Sequence, residues 1–405
     1  MSARILHIDD DLDQQTLIRA ILQSHGYTLH QLTSAEGLEA AIIEFQPALV
    51  LCDLILPGRD GLSVCRDLRA NSKTRDLPVV VISAKSFEMD ISSALAAGAV
   101  GYLVKPFDLD HLLAVVRDAL ASMKVRVWGC RGSICAPEKH GGLYGGNTAC
   151  VSLSLGGSRH LVFDAGTGIR LLGQSLAQHS ALQIALCFSH FHWDHIFGLP
   201  FFVPLYVPGN EVTIYGPAES NDALRELIEI QMSSHYFPVS TEAFQARVRF
   251  VGLQEQTFEA LNVSISTFQA MHPCRTLAYR AHVRGSSLVY APDNELVPET
   301  THPQLTGEAL RLANFCAGAS LLLHDCTYSR ASYERHRGWG HSGPAAIAAV
   351  AAQAQLQRVL LFHHDPDSSD EQVQAIAGEY AAACEALGSN VPGEPAREGG
   401  VYELE

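Results

Sequence analysis

The chain has 405 residues, of which 47% are hydrophobic, and a formal net charge of −15. This length predicts two or three domains with full cores, and an acidic balance without a basic run disfavours nucleic acid as a partner. The sequence has no apolar run of roughly 18 residues and no secretory signal at its N-terminus, so we expect a cytoplasmic protein with no membrane partner. The ten cysteines form no C-x-x-C pair, which predicts reduced, buried thiols.

Residues up to about 121 alternate between strand and helix patterns five times. Apolar runs predict strands at 5–8, 27–31, 48–52, 79–82 and 101–104. Helical spacing of apolar residues predicts helices at 12–22 and around 35–45, 60–70, 87–97 and 107–121. Such alternation predicts a parallel sheet with helices on both faces, and ligands of these sheets bind beyond the carboxyl ends of the strands.

Polar residues stand where these strands end. Asp9 and Asp10 follow the first strand, Asp53 the third, Ser83 the fourth and Lys105 the fifth. Carboxylates at one sheet edge repel each other unless a hard cation such as Mg²⁺ joins them. A carboxylate beside Mg²⁺, a hydroxyl and a lysine is equipped to accept a phosphoryl group.

The residues around these positions resemble the receiver domain of two-component response regulators. The matching motifs are His7 to Asp11, Leu51 to Gly61, Ile82-Ser83-Ala84 and Tyr102 to Phe107. The resemblance implies a flavodoxin-like (βα)5 domain over residues 1–121, with a sensor histidine kinase or another phosphodonor as partner, and it leaves a homodimer open. It implies these roles: Asp53 as phosphoacceptor, Asp9, Asp10 and Asp53 around Mg²⁺, and Ser83, Tyr102 and Lys105 as switch residues.

A second domain is expected at 124–405, because Ala121-Ser122-Met123-Lys124 joins the halves without a Gly/Ser- or Pro-rich tether and predicts a stiff connection. Two Gly-rich loops, at 129–133 and 141–148, predict turns at the rim of a site and not a phosphate-binding loop. Strand patterns followed by helical patterns predict two mixed sheets with helices outside. The predicted strands are 125–128, 161–163, 182–188, 212–215, 248–251, 262–268, 278–284, 287–291, 321–323 and 359–362, and the predicted helices are 222–232, 305–317, 343–354 and 370–387.

Three histidines and an aspartate fall within six positions directly after the strand predicted at 182–188. They are His190, His192, Asp194 and His195. Such crowding of imidazoles and a carboxylate at a strand end is costly without a metal, so it predicts a metal site. Further metal-competent residues stand after later strands or in loops: His272, Asp293, Asp325, His341, His363 and His364.

In this order behind an H-x-H-x-D-H loop, these residues resemble the metallo-β-lactamase fold hydrolases over 124–405. Gly340-His341-Ser342 and Leu361 to Pro366 are most similar to the phosphodiesterase and RNase Z-like branch. The resemblance implies an αββα sandwich that holds two Zn²⁺ ions, or Mn²⁺ or Fe in their place. It implies that one ion takes His190, His192 and His272, that the other takes Asp194, His195 and His363, and that Asp293 bridges them.

Three positions near this ligand set are less determined. Asp325 remains the rival of Asp293 for the bridge. His364 is ranked behind His363, whose spacing to the following proline fits the family, and is expected to support a ligand. Asp164 is expected to orient a ligand histidine instead of binding metal.

Two ions of this kind supply a nucleophilic water near neutral pH and stabilise charge on a phosphoryl oxygen. The expected catalytic residues are Asp194 and His341, and His341 would donate a proton to the leaving alkoxide or clamp the phosphate. We therefore expect a response regulator whose output is a metal-dependent phosphodiesterase for a small phosphodiester such as a cyclic nucleotide, regulated through Asp53. The alternatives are an RNase Z-like RNA hydrolase, a thioester or lactone hydrolase, and a non-catalytic ligand-binding signalling module.

Overall fold

The computed structural model describes residues 2–71, 73–75, 77–120, 123–156, 158–179, 181–296 and 305–404. The chain divides into two compact units, Met1–Ser122 and Met123–Glu405. Ala121 and Ser122, which belong to the junction that we predict to be stiff, lie outside the described residues. Within the described ranges, no helix combines the length and the apolar character that a bilayer crossing requires.

The first unit contains seven strands and five helices in its described part. They are β1 (Arg4–Ile8), α1 (Leu12–Ser24), β2 (Thr28–Leu32), α2 (Leu38–Phe45), β3 (Leu49–Asp53), β4 (Ile55–Leu56), β5 (Arg59–Asp60), α3 (Gly61–Ala70), β6 (Val79–Ser83), α4 (Glu88–Ala96), β7 (Gly101–Val104) and α5 (Leu109–Leu120). Five strands form one parallel sheet in the order β2-β1-β3-β6-β7, and β4 pairs with β5 in a separate hairpin.

Both faces of this sheet are buried, as its nearly continuous apolar strands predict. In β3, Leu49 and Leu51 pack in one apolar cluster with residues of α1 and α5, whereas Val50 and Cys52 pack in another with residues of α3. Successive side chains of a strand point to opposite faces, so helices cover the sheet on both sides. With the hairpin strands left aside, the strand order is the 2-1-3-4-5 of flavodoxin-like folds, and the predicted fold of this unit is confirmed.

The second unit contains fourteen strands and seven α-helices in its described part. They are β8 (Lys124–Gly129), β9 (Cys150–Ser154), β10 (Arg159–Phe163), α6 (Ile169–Leu176), β11 (Gln183–Cys187), α7 (Trp193–Ile196), β12 (Glu211–Pro217), α8 (Asn221–Gln231), β13 (Arg247–Leu253), β14 (Thr257–Ala260), β15 (Val263–Gln269), β16 (Leu277–Val283), β17 (Ser286–Ala291), α9 (Gly307–Cys316), β18 (Leu321–Asp325), α10 (Arg330–Tyr333), α11 (Pro344–Ala354), β19 (Val359–Phe362), α12 (Asp370–Ala386), β20 (Gly393–Pro395) and β21 (Val401–Glu403).

These strands form two seven-stranded sheets, in the orders β13-β12-β11-β10-β9-β8-β21 and β14-β15-β16-β17-β18-β19-β20. One apolar cluster lies between the sheets and joins residues of both, among them Phe163 from the first and Tyr279, Tyr290 and Phe362 from the second. Two further clusters pack helices α6 and α8 against the first sheet and helices α9, α11 and α12 against the second. The layers are therefore helix, sheet, sheet, helix, and the predicted αββα sandwich is confirmed.

Candidate functional site

The side chains that we predict to bind metal come together where the strands of the second unit end. His190 and His192 lie in the loop after β11, and the single turn of α7 adds Asp194 and His195. His272 follows β15. Asp293 lies just after the end of β17, and His363 lies just after the end of β19. All seven are described residues, and metal occupancy of this centre remains a prediction.

The two carboxylate oxygens of Asp293 face different histidines. Oδ2 lies 3.7 Å from Nε2 of both His190 and His272. Oδ1 lies 3.1 Å from Nε2 of His195 and 3.5 Å from Nε2 of His363. A carboxylate placed in this way offers one oxygen to each of two neighbouring metal positions, which is the geometry that a bridging ligand requires.

Four histidines are held in the tautomer that suits a metal ligand. In each, Nδ1 contacts a hydrogen-bond acceptor and therefore carries the proton, which leaves the Nε2 lone pair free for an ion. The two hydroxyl partners act as acceptors here because each donates its own proton elsewhere, Ser189 Oγ to Asp164 and Thr327 Oγ1 to the His363 carbonyl. The Nδ1 partners are Ser189 Oγ for His190 (3.0 Å), Asp164 Oδ2 for His195 (2.7 Å), the Gly340 carbonyl for His272 (3.1 Å) and Thr327 Oγ1 for His363 (3.2 Å).

The unpaired atoms of this cluster fit divalent metal ions. Among the described residues, His190 Nε2, His195 Nε2 and Asp293 Oδ1 are buried and make no hydrogen bond. Buried polar atoms without partners are rare in proteins because each costs desolvation energy. Ligand atoms of His190, His195 and Asp293 lie within 4.8 Å of one another, and so do those of Asp194, His195 and His363. Neutral imidazoles and carboxylates are the nitrogen and oxygen donors that zinc and similar ions take.

Asp164 is buried beneath the centre and receives four hydrogen bonds. Its Oδ2 accepts from His195 Nδ1 (2.7 Å), Ser189 Oγ (2.8 Å) and Tyr290 OH (2.8 Å), and its Oδ1 accepts from the Ser189 N–H (2.7 Å). Asp164 therefore fixes His195 directly and His190 through Ser189. This is the orienting contact that the sequence predicts for Asp164.

The charges of the centre stabilise one another strongly. Burial would raise the pKa of Asp293, but His363, His195 and His190 outweigh it and hold the pKa well below its usual range. Burial would lower the pKa of His195, but Asp194, Asp293 and Asp164 outweigh it and raise the pKa well above its usual value, so an ion that binds at Nε2 would displace a proton. In contrast, burial and the neighbouring His363 lower the pKa of His341 to about 3, so this ring is neutral near pH 7.

Three residues around the centre have strained backbone conformations. Ser133, Asp164 and His363 adopt φ values of 62°, 57° and 60°, a left-handed conformation that costs energy for residues with a Cβ. Two glycines allow close approach: a Cβ on Gly132 would lie 2.1 Å from the His363 ring, and one on Gly340 would lie 2.1 Å from His272 Nδ1. The first Gly-rich loop therefore lies at the site, as predicted, and its Ser133 N–H donates to Asp194 Oδ2 at 2.7 Å.

Asp325 and His364, the alternatives to Asp293 and His363 in the predicted ligand set, have different environments. Asp325 accepts backbone N–H groups with both oxygens, from Ser342 (2.7 Å) and Asn294 (2.6 Å). Its Oδ2 also lies 3.9 Å from His341 Nδ1, as does Asp293 Oδ2. His364 is turned away from the cluster, with its Nε2 2.7 Å from the Ala396 carbonyl. The geometry therefore favours Asp293 over Asp325 as a bridge and His363 over His364 as a ligand.

Glu295 was not predicted to contribute to the site. Its Oε1 accepts from the Gly338 N–H (2.7 Å) and from Tyr333 OH (2.9 Å), and its Oε2 accepts from the Gly340 N–H (2.8 Å). These bonds hold the loop that carries His341 and that provides the carbonyl partner of His272. Glu295 stands two residues after Asp293, but its backbone N–H partners lie more than 40 residues away and give no signal in the sequence.

An open pocket of about 420 Å³ lies over the centre. It is lined by Ser133, Phe191, His192, Trp193, Asp194, Asp293, His341 and His363. Trp193 is 80% exposed, which is unusual for so large an apolar side chain. The pocket thus combines metal-competent groups with aromatic surface that a ligand can cover.

The first unit brings together the polar residues at the ends of its strands. Lys105 Nζ donates to Asp9 Oδ2 at 2.8 Å and also to Asp53 Oδ2, and the Ile55 N–H donates to Asp53 Oδ1 at 2.8 Å. Burial would raise the pKa of Asp9, but His7, Lys105 and the Asp11 N–H outweigh it and lower the pKa to about 2. Two carboxylates beside a lysine form a site that suits Mg²⁺ and a phosphoryl group.

The other predicted receiver residues lie around this pair. Asp10 is exposed, next to the buried Asp9. Ser83 Oγ accepts from the Lys85 N–H at 3.2 Å, and Tyr102 OH donates to the Lys85 carbonyl at 2.9 Å. Ser83 and Tyr102 are therefore linked through one loop residue, and their switch roles remain predictions.

Comparison with known proteins finds relatives for both units. Residues 5–117 match the family model of the response regulator receiver domain, and residues 159–364 match that of the β-lactamase superfamily domain. The first unit is 38% identical over 117 residues to the DNA-binding dual master transcriptional regulator RpaA of Synechocystis sp., across 29% of this chain and 48% of that protein. It is 38% identical over 120 residues to the DNA-binding response regulator MtrA of Mycobacterium tuberculosis, across 30% of this chain and 51% of that protein. The chain thus spans about half the length of these curated relatives.

A solved structure resembles the second unit. The metallo-β-lactamase fold protein YhfI from Bacillus subtilis superimposes with a TM-score of 0.52 and 19% sequence identity, over 70% of this chain and all of YhfI. At this identity the likeness concerns the fold alone. All seven predicted metal ligands lie within the matched range 159–364.

Proposed function

Because the chain belongs to the β-lactamase superfamily and carries a response regulator receiver domain ahead of that fold, we propose that it is a metal-dependent phosphodiesterase controlled by phosphorylation of Asp53. The observation that carries the proposal is the division of the Asp293 carboxylate between two pairs of histidines. Two ions held in this way would supply an activated water near neutral pH and Lewis-acid stabilisation of a phosphoryl group. The phosphodonor is a sensor histidine kinase or a small phosphorylated donor.

The chain's own residues define what happens around the phosphoryl group. His341 lines the pocket, and its Nδ1 makes no hydrogen bond within the described structure. As a neutral ring it donates an N–H to a phosphoryl oxygen. A bound phosphodiester anion raises the pKa of His341, which lets the ring pass a proton to the departing alkoxide.

The pocket supports a small phosphodiester over a polynucleotide. Its volume of about 420 Å³ is in the range of pockets for small ligands, and Phe191 and Trp193 give it aromatic walls on which a nucleobase stacks. The net charge of −15 repels a long polyanion. A cyclic nucleotide meets these conditions.

The substrate class is tested with the zinc-loaded full chain against bis(p-nitrophenyl) phosphate, a set of cyclic nucleotides, a thioester and a lactone. We expect kcat/KM for at least one phosphodiester to exceed that for the thioester and the lactone by at least about 100-fold, and the metal-free chain to be inactive. Cleavage of the thioester or the lactone with no phosphodiester hydrolysis would refute the proposed substrate class.

A further inference from the structure

Cys274 stands beside the group of three histidines that we assign to the first ion. Its Sγ and one ring nitrogen each of His190, His192 and His272 all lie within 4.8 Å of one another. Cys274 is two residues after His272, in the segment between β15 and β16. The sulfur thus lies among three groups that already resemble a metal site.

Two further observations point to a ligand at this place. His190 Nε2 is fully buried and has no hydrogen-bond partner among the described residues. Cys274 is also unlike most other cysteines of the chain, because eight of the ten are buried, whereas Cys135 and Cys274 are partly exposed. The Cys274 sulfur contacts Thr276 Oγ1 at 3.5 Å, and a thiol is a weak hydrogen-bonding group, so a metal ion can replace this contact.

The distances suit zinc after a small contraction. Zinc holds nitrogen at about 2.0–2.1 Å and sulfur at about 2.3 Å, so neighbouring ligand atoms of one zinc ion lie about 3–3.7 Å apart. His192 Nδ1 and His272 Nε2 are already 3.2 Å apart. A shift of about 1 Å, within reach of a rotation about the Cα–Cβ bond of Cys274, brings the sulfur into the same shell.

We propose that Cys274 is a further protein ligand of the first ion, alongside His190, His192, His272 and the shared Asp293. The thiol loses its proton to solvent as the sulfur–metal bond forms. A soft thiolate favours zinc over manganese and magnesium, so this residue makes the first position zinc-selective. With Cys274 bound to the first ion, the position open to water and substrate would belong to the ion held by Asp194, His195 and His363. This inference rests on the metal centre of the proposed function, but not on the identity of its substrate.

The test is zinc-edge X-ray absorption on the zinc-loaded full chain, with Cys274→Ser as the variant and Cys135→Ser as the matched control. Cys135 is the other partly exposed cysteine, and it belongs to none of the metal-competent groups of the described residues. We expect a sulfur scatterer at about 2.3 Å in the wild type and in Cys135→Ser, and only nitrogen or oxygen scatterers in Cys274→Ser. Cobalt(II) gives a second readout, because a sulfur-to-cobalt charge-transfer band should vanish in Cys274→Ser alone.

The outcomes separate this inference from the proposed function. Bound zinc without a sulfur scatterer in the wild type, or with one that persists in Cys274→Ser, would overturn the role of Cys274 and leave the phosphodiesterase proposal standing. A chain that binds no zinc would overturn the metal centre on which both depend. Competition between zinc and manganese supplies a quantitative check, since the preference for zinc should fall at least about tenfold in Cys274→Ser.

Discussion

Oδ1 of Asp293 lies 3.1 Å from Nε2 of His195, while Oδ2 of the same carboxylate lies 3.7 Å from Nε2 of His190 and of His272. Asp325 is also buried, but both of its carboxylate oxygens accept hydrogen bonds from backbone N–H groups. One carboxylate is thus free to join two ions, and the other fixes loops around them.

This difference predicts that two matched substitutions affect different properties, metal binding in one case and stability in the other. Asp293→Asn should bind less than two zinc ions per chain after dialysis, because the amide nitrogen cannot serve as the second donor. Asp325→Asn should keep both ions and lose about 1–3 kcal/mol of unfolding free energy, because one backbone N–H loses its acceptor. Metal analysis measures the zinc content of each variant, and urea unfolding measures its free energy of unfolding. If Asp325→Asn lost zinc while Asp293→Asn retained both ions, Asp325 would be the bridging ligand.

His341→Asn should retain both zinc ions and lose activity in a manner that depends on the leaving group. For a phosphodiester with an alkoxide leaving group, kcat should fall by about 10²–10⁴, the usual contribution of a general acid. For p-nitrophenolate, which leaves without a proton, the loss should be much smaller. Equal losses for both would assign His341 to clamping the phosphate, whereas loss of an ion would make it a ligand, because it can form a metal-competent group with Asp293 and His363.

His324 predicts a pH dependence of stability. Burial lowers its pKa to about 4, against weaker opposing effects of the Asp325 carbonyl and of Asp293, and the neutral ring accepts from Asn294 Nδ2 at 3.1 Å. The unfolded chain takes up this proton near pH 6.5 and the folded chain only near pH 4. The neutral His324 ring therefore makes its full contribution to the free energy of unfolding above pH 6.5. As the pH falls from 6.5 to about 4, the protein loses about 3 kcal/mol of this free energy.

The measurement compares urea unfolding of the metal-free wild type with that of His324→Gln from pH 7.5 to pH 4. The difference in unfolding free energy between the two proteins should shrink as the pH falls through this window. A difference that stays constant would show that His324 keeps an ordinary pKa in the folded protein.

Phosphorylation of Asp53 should change the rate of phosphodiester hydrolysis. Beryllofluoride with Mg²⁺ mimics the phosphoryl group, and Lys105, which contacts both Asp9 and Asp53, should change partner when it binds. We expect beryllofluoride to alter kcat/KM of the wild type and to leave Asp53→Ala unaffected. Identical rates for the wild type with and without beryllofluoride and for Asp53→Ala would reject control through this residue.

Much of this architecture could be read from the sequence because its signals are local. The strand that ends at Asp53 is a continuous apolar run, and the loop from His190 to His195 places four metal-competent groups within six residues. Some strands with weaker signals were not predicted. Strand β9 alternates Val151 and Leu153 with serines, and β14 and the hairpin of β4 and β5 are very short. Helix α6 was not predicted either.

Contacts between distant segments could not be predicted in the same way. Glu295 acts on Gly338 and Gly340, more than 40 residues away, through backbone N–H groups that leave no pattern in a sequence. Asp293 and Asp325 both follow apolar strands, and only their surroundings in space distinguish them. Cys274 did have a local signal, its spacing of two from His272, but a single cysteine is more often a structural residue than a metal ligand.

The most direct test of the central claim is the rate of bis(p-nitrophenyl) phosphate hydrolysis as zinc is added stepwise to the metal-free full chain. We expect almost no activity without zinc, full activity only as the bound zinc approaches two ions per chain, and no comparable gain in Asp293→Asn. Activity that is already complete in the metal-free chain, or two bound ions with no hydrolysis of any phosphodiester, would contradict a binuclear phosphodiesterase.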